Sequence, residues 1–233
     1  MAKVGVLHRI LYMHPVIRGK DAFTADSTIT TARSQAGSQA SLFPDATPTL
    51  PCGALLVHEF LSFEEEAELL DIIQCLELTE ARYKQYTARR RVAAFGSRFN
   101  YDDNTLHDAA PVPPNLAALR DRVAAWRGVD PALLRQMLIS EYLPGTPLGW
   151  HRDVPQFESI VGLSLLGHAR MKLRPFPSES GRASQVIQID LPPRSIYVLE
   201  GDARWGWQHC IVETKELRYS VTLRTNRGSA LLL

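Results

Sequence analysis

Cysteine is scarce in this chain: three residues in 233, Cys52, Cys75 and Cys210, with no CxxC pair among them. That excludes a disulfide framework and offers no zinc-knuckle spacing, and a reducing cytoplasm is the compartment that fits. No uninterrupted apolar run approaches the roughly 20 residues of a membrane-spanning helix, so no membrane partner is expected. An excess of one charge is missing as well. The 26 Lys and Arg balance 25 Asp and Glu, so net charge is silent about partners and only local clustering can speak. Internal repeats are absent. The first twenty residues carry Arg9, Arg18 and Lys20 but lack an apolar core followed by a small-residue cleavage site, which argues against a secretory signal. His151-Arg152-Asp153 shares its letters with a protein-kinase catalytic loop. However, Glu158 stands where that loop needs asparagine, and no Gly-rich loop or Asp-Phe-Gly accompanies it.

What is present is the composition of a globular protein, 45% hydrophobic and 22% charged, with length for one sizeable domain. Asp21–Gln39 is rich in Ser, Thr, Ala and Gln without a sustained period, so residues 1–48 read as a flexible leader and 49–233 as the domain. A monomer is expected. Ser62-Phe63-Glu64-Glu65 is a capping box, and Ala67, Leu70, Ile73 and Leu76 follow at helical spacing, which predicts a helix over 63–76. Pro113-Pro114 leads into a second, marked by Leu116, Leu119, Val123 and Trp126. From Met137 the period changes. Met137–Leu143, Ile160–Leu166, Met171–Phe176, Val186–Leu191, Ile196–Leu199 and Arg218–Arg224 read as short strands between Gly, Pro and Ser punctuation. Helices followed by many short strands predict an α+β fold, an antiparallel barrel or jelly roll covered by helices.

Two features carry chemistry. His151 and Asp153 lie two residues apart at the end of a strand-like stretch, which puts both side chains on one face. With a distant histidine they can form a facial site of two imidazoles and one carboxylate, leaving open positions on a metal. In Arg218–Arg224, Arg218, Ser220, Thr222 and Arg224 share one face and Tyr219, Val221 and Leu223 the other. If the polar face points into a barrel, two buried guanidiniums need anionic partners. A dicarboxylate ligand and a metal-bound Asp153 would satisfy them, because arginine grips carboxylates bidentately. Two histidines and an aspartate would also suit a zinc hydrolase, which has no use for such an arginine pair.

Glu141-Tyr142-Leu143-Pro144-Gly145, Trp150-His151-Arg152-Asp153, Ile160–Leu166, Gly201-Asp202 before His209, and Arg218–Arg224 together resemble the AlkB-like dioxygenases, in order and spacing, over about residues 50–227. The resemblance implies a double-stranded β-helix core, the jelly roll, flanked by N-terminal helices and a nucleotide-recognition lid. It implies Fe(II) bound by His151, Asp153 and His209, with 2-oxoglutarate and O₂ as co-substrates. Arg218, assisted by Tyr142, would hold the distal carboxylate of 2-oxoglutarate, and Arg224 would lie near the proximal one and Asp153. Family members typically hydroxylate an N-linked methyl group on a nucleobase, which then leaves as formaldehyde. Pro155 stands where DNA-repair members carry an aspartate, and Ser140 and Ser220 replace two asparagines.

A substrate segment is also visible. Arg82-Tyr83-Lys84-Gln85-Tyr86, Arg89-Arg90-Arg91 and Arg98-Phe99-Asn100-Tyr101 concentrate cations for phosphate and rings for bases. A single-stranded or flipped nucleotide is therefore the expected partner, with Arg89, Arg90, Arg91, Arg98, Phe99, Tyr101 and Trp150 as candidate contacts. Phe99 and Tyr101 match the aromatic lid positions of the family. Two alternatives stay open here: an oxygenase acting on a protein or small molecule, and a non-catalytic nucleic-acid binder on the same fold.

Overall fold

A computed structural model describes residues 49–83, 86–177 and 186–228. The expected leader, 1–48, lies outside the described residues, as do Lys84 and Gln85. The chain opens with β1 (Ala54–Val57) and α1 (Phe63–Gln74), then a hairpin of β2 (Thr79–Tyr83) and β3 (Tyr86–Phe95). A second hairpin, β4 (Ser97–Asn100) and β5 (Thr105–Asp108), precedes α2 (Pro114–Arg127). Next come β6 (Leu134–Tyr142), β7 (Leu148–His151), β8 (Phe157–Leu165), β9 (Ala169–Pro175), β10 (Ile187–Leu191) and β11 (Ile196–Leu199). A short helix α3 (Gly201–Trp205) leads to β12 (Trp207–Ile211) and β13 (Arg218–Asn226).

Both long helices are bounded by the signals in the sequence. Ser62 Oγ accepts from the Glu65 amide at 3.2 Å while the Glu65 carboxylate accepts from the Ser62 amide at 2.7 Å. Glu64, Glu65 and Glu66 in the first turn complement the helix dipole. Cys75 caps α1, so the helix stops short of Leu76, which still packs against the core. Pro114 opens α2, and Gly128, in the left-handed region at φ 66°, closes it. Among the described residues no helix is long and apolar enough to cross a membrane.

Eleven of the strands form two antiparallel sheets face to face, of seven strands in the order β1-β11-β8-β13-β6-β3-β2 and four in the order β10-β9-β12-β7, and β4 and β5 pair as a third. Period-2 alternation decides what each face does. On β8 and β13, Val161, Leu163, Leu165, Tyr219, Val221 and Leu223 point outward and join Leu69, Ile73, Leu116 and Val123 of α1 and α2 in one core. Between the sheets lies a second core of Phe157, Ile160, Met171, Leu173, Ile187, Ile189 and Leu191. Each fully buried aliphatic side chain contributes about 1.5–3 kcal/mol, so these layers fix the register. β8 is covered on both sides, which is why its stretch from Ile160 to Leu165 is apolar except at Ser164. Glu66 is the polar exception. It accepts from the Leu166 amide at 2.8 Å and pairs with Arg194 at 3.3 Å, pinning α1 to two turns of the barrel.

The remaining inner positions, including Gln136, Ser140, Tyr142, Arg218, Ser220, Thr222 and Arg224, line a cleft rather than a core. Tyr197 borders it, lying opposite Gly162 in the β11–β8 register. A Cβ on Gly162 would sit 2.2 Å from the Tyr197 ring, so only glycine allows this approach. Gly162→Ala is therefore expected to lower stability by roughly 1–3 kcal/mol, with partial recovery when combined with Tyr197→Leu. Denaturant unfolding of both variants checks this, and an unchanged single variant would contradict it.

Candidate metal and co-substrate site

β7 and β12 are neighbours, and their register puts His151 directly across from His209. The two rings lie side by side, 4.2 Å between centroids. Asp153 follows β7 by two residues and returns to the same face, its Oδ2 3.6 Å from His209 Nε2. One ligand atom from each of the three lies within 4.8 Å of the others. His151 Nδ1 donates to the Gly149 carbonyl at 2.8 Å, which turns Nε2 toward the shared centre.

Arg224 crosses from the large sheet and donates through Nε and Nη2 to Asp153 Oδ1, at 2.9 and 2.7 Å. Oδ1 is thereby occupied and Oδ2 is left facing the imidazoles. Gln136 accepts from Arg224 Nη1 at 2.7 Å and donates to the Ser97 carbonyl at 2.9 Å, so the line of bonds continues to the base of β4. Arg204, buried on α3, donates through one nitrogen to the carbonyls of Asp153, Val154 and Phe157 at 2.8–3.0 Å. It fastens the loop that carries Asp153 to the segment that leads into His209.

These contacts set the protonation states that ligation needs. Burial, reinforced by His151, pushes the His209 imidazole down to about 3, against the pull of Asp153. Burial lowers His151 as well. For Asp153 burial acts upward, but Arg224 and the other neighbouring cations outweigh it and hold the carboxyl well below its usual range. The site thus presents two neutral imidazoles and one carboxylate.

Arg218 is 1% exposed. Its Nε donates to Ser164 Oγ at 3.1 Å and its guanidinium lies 4.9 Å from the centre of the Tyr142 ring. Nη1 is buried with no partner among the described residues. An orphaned guanidinium nitrogen inside a barrel is costly, and a carboxylate would satisfy it. The nitrogen and oxygen donor set suits Fe(II), and Arg218 suits a dicarboxylate beside it. Burial would push the Tyr142 phenol up, but Arg90 and Arg218 bring it below its usual value.

Of the remaining candidates, Arg89, Arg90, Arg98, Phe99, Tyr101 and Trp150 line the same cleft as His151, Asp153 and His209. Phe99 and Tyr101 meet edge-on at 4.9 Å between ring centroids. Arg91 departs from its neighbours. It binds Glu141 at 2.7 and 2.8 Å, and Glu141 also accepts from the Tyr219 hydroxyl. The cleft measures 2050 Å³, above the roughly 300–1,000 Å³ of a small-molecule pocket, so room remains for a nucleotide-sized substrate. Gln136, Tyr197 and Arg204 were not legible as site residues. Gln136 and Tyr197 sit on inward strand positions that only the register reveals, and Arg204 in Ala-Arg-Trp reads as a surface cation.

Two outcomes follow for the metal-free protein. His209 stays neutral when folded to well below its usual range, so below pH about 6.5 the unfolded chain takes up a proton that the folded chain refuses. Stability is expected to fall continuously on acidification, at a limiting slope of about 1.4 kcal/mol per pH unit for His209 alone. Asp153 adds to the fall below pH about 4. Urea titrations from pH 7 to about pH 4 read this slope, and a flat profile would refute it. Arg204→Met leaves buried carbonyls unsatisfied, at a cost of roughly 1–3 kcal/mol, and is expected to weaken Fe(II) binding in a direct titration.

Comparison with known proteins bears on the same residues. The model of the 2OG-Fe(II) oxygenase superfamily matches residues 53–227. The tRNA (carboxymethyluridine(34)-5-O)-methyltransferase ALKBH8 of Macaca fascicularis is 34% identical over 70% of this chain and 24% of its own length. The chain thus spans about a quarter of that relative. The mitochondrial alpha-ketoglutarate-dependent dioxygenase alkB homolog 7 of Mus musculus is 30% identical over 69% of this chain and 68% of its own. The solved structure of OsALKBH1 superposes with a TM-score of 0.58 at 14% identity, over 77% of this chain and 99% of that one, a likeness of fold. The chain belongs to the 2OG-Fe(II) oxygenase superfamily and, within it, to the AlkB-like dioxygenases, whose cofactor is Fe(II) and whose co-substrates are 2-oxoglutarate and O₂.

Proposed function

We propose that this chain oxidatively demethylates an alkylated nucleobase in DNA or RNA. The observation that carries the reading is one continuous cleft that runs from His151, Asp153 and His209 to the aromatic and cationic hairpin Arg98-Phe99-Asn100-Tyr101. A flipped base needs rings to stack on and cations for its phosphates, and that hairpin offers both. Two relatives carry nucleic-acid substrates in their names, the macaque enzyme above and the alkylated DNA repair protein ALKBH8 homolog of Arabidopsis thaliana, 28% identical over 75% of this chain.

In this reading His151 Nε2, Asp153 Oδ2 and His209 Nε2 hold Fe(II). The Arg218 guanidinium, with the Tyr142 hydroxyl beside it, receives the distal carboxylate of 2-oxoglutarate. Arg224 keeps Asp153 ionised and fixes which of its oxygens meets the metal. When bound, iron and 2-oxoglutarate supply the oxidising chemistry: one atom of O₂ converts the N-methyl to N-hydroxymethyl and the other ends in succinate, with loss of CO₂. The hydroxymethyl then leaves as formaldehyde and the base regains its N–H. Arg89, Arg90, Arg98, Phe99 and Tyr101 hold the nucleotide and exclude water, and Trp150 stands at the rim of the cleft. Arg91 is committed to Glu141 and serves the sheet.

Succinate and formaldehyde release is the test, with Fe(II), ascorbate and 2-oxoglutarate and a methylated single-stranded DNA or a tRNA as substrate. Both products are expected to rise with one of these nucleic acids and to vanish in His151→Ala. Turnover on a protein with none on any methylated oligonucleotide would overturn the reading. Arg218→Met removes a charge-assisted pair worth about 1.5–3 kcal/mol, and is expected to raise the 2-oxoglutarate KM at least tenfold while leaving Fe(II) binding in place.

A further inference from the structure

On β7, Trp150 alternates with His151 and faces the outside of the four-stranded sheet, and Arg152 follows the strand's end beside it. The register continues that outer face. Gln208 on β12 lies opposite Arg174 on β9, and Cys210 opposite Lys172. The Arg174 guanidinium stacks 4.3 Å from the Trp150 ring centre and its Nε donates to Gln208 at 3.0 Å. Arg152 stacks 3.9 Å from the ring of Phe176, which is 38% exposed. Two ring–guanidinium stacks therefore stand side by side on one open surface.

Among the described residues the charge on this face is one-sided. Its outward acid on β9 and β10 is Asp190, and Arg170 already pairs with it at 3.2 Å. Among the described residues, Arg152, Lys172 and Arg174 have no carboxylate within 4 Å. In a chain of net charge +1, three cations with no paired carboxylate among the described residues, interleaved with two aromatic rings, form a local concentration that the composition conceals. Trp150 and Arg152 also border the cleft that holds the three metal-ligating side chains, so the surface is continuous with it.

We propose that this outer face binds the nucleotides flanking the target, in a single strand of DNA or RNA that leaves the cleft over β7 and crosses β12 onto β9. The cations match phosphates, and the exposed planes of ring and guanidinium match bases. An acidic polypeptide would use the charges and leave the rings idle. The inference rests on the nucleic-acid reading above and extends it to a surface outside the cleft and away from the hairpin.

The test uses the full chain loaded with Fe(II) and 2-oxoglutarate, and anisotropy of a short labelled single-stranded oligodeoxynucleotide and its ribo-counterpart across a salt series. Lys172→Gln combined with Arg174→Gln is expected to weaken binding about tenfold at low salt. It should also flatten the dependence of log affinity on log salt by about 1.4, two contacts at roughly 0.7 each. Phe176→Ala is expected to weaken binding about tenfold by lost stacking with the salt slope unchanged, and it stands alone if the double variant fails to fold. Wild-type protein that binds and oxidises oligonucleotides, with affinity and slope preserved in both variants, would overturn this surface and leave the proposed function standing. Wild-type protein that neither binds nor oxidises any oligonucleotide would remove both. Poly-glutamate bound as tightly as the oligonucleotide, and lost equally in the double variant, would overturn the proposal in favour of an acidic protein partner.

Discussion

Two imidazoles and a carboxylate, buried or half-buried and converging on one point, are an unfavourable arrangement until something fixes their charges. The Arg224 guanidinium does so. By donating twice to one oxygen of Asp153, it keeps the carboxyl ionised against the burial that would protonate it. It also resolves the symmetry of the carboxylate, since only the other oxygen remains for a ligand. The rest of the barrel serves this pair. β13 must bring position 224 across the interior, and the loop after β7 must return Asp153 to the face of His151. The closing of two sheets on each other keeps water from competing for the bonds.

The same alternation that aims Arg224 inward builds the hydrophobic layer on the other side of β13. Tyr219, Val221 and Leu223 anchor the strand against α1 and α2, and Arg218, Ser220, Thr222 and Arg224 are held in the interior as a consequence. A slip of one residue would exchange the two sets and put guanidiniums under the helices. Packing energy on the outer face therefore specifies the chemistry on the inner one. Glu141 and Arg91 illustrate the boundary: they are charged residues on inner strands that satisfy each other and Tyr219, and so are withdrawn from the cleft.

How much of this was legible in the sequence depended on the range of the interaction. The capping box at Ser62 and the proline entry to α2 are local and survive intact, and Ile196–Leu199 coincides with β11. The alternation in Arg218–Arg224 and the spacing of His151 and Asp153 are also local, and they identified the inward faces. The hairpins β2–β3 and β4–β5 were not read as strands. Their residues are charged and aromatic, a composition that looks like a solvated or binding segment, and their strand form comes from pairing with β6 and with each other. Arg89, Arg90 and Arg91 could not be told apart as letters. The fold pairs Arg91 with Glu141, while Arg89 and Arg90 line the cleft.

The bonds that leave Asp153 pass through Arg224 and Gln136 and end on Ser97 at a backbone carbonyl, not a side chain. Any residue supplies that acceptor, so the bond depends on the place of position 97 in the chain and not on its side chain. The turn before it is fixed by Gly96, at φ 76°, where a Cβ would meet the Arg135 carbonyl at 2.4 Å. The hairpin can thus exchange its exposed side chains without disturbing His151, Asp153 and His209, whereas adding or removing one residue at its base would be felt at Asp153. Such a joint separates side-chain identity from chain length: substitution on the hairpin stays local, and only a change of length reaches the buried carboxylate.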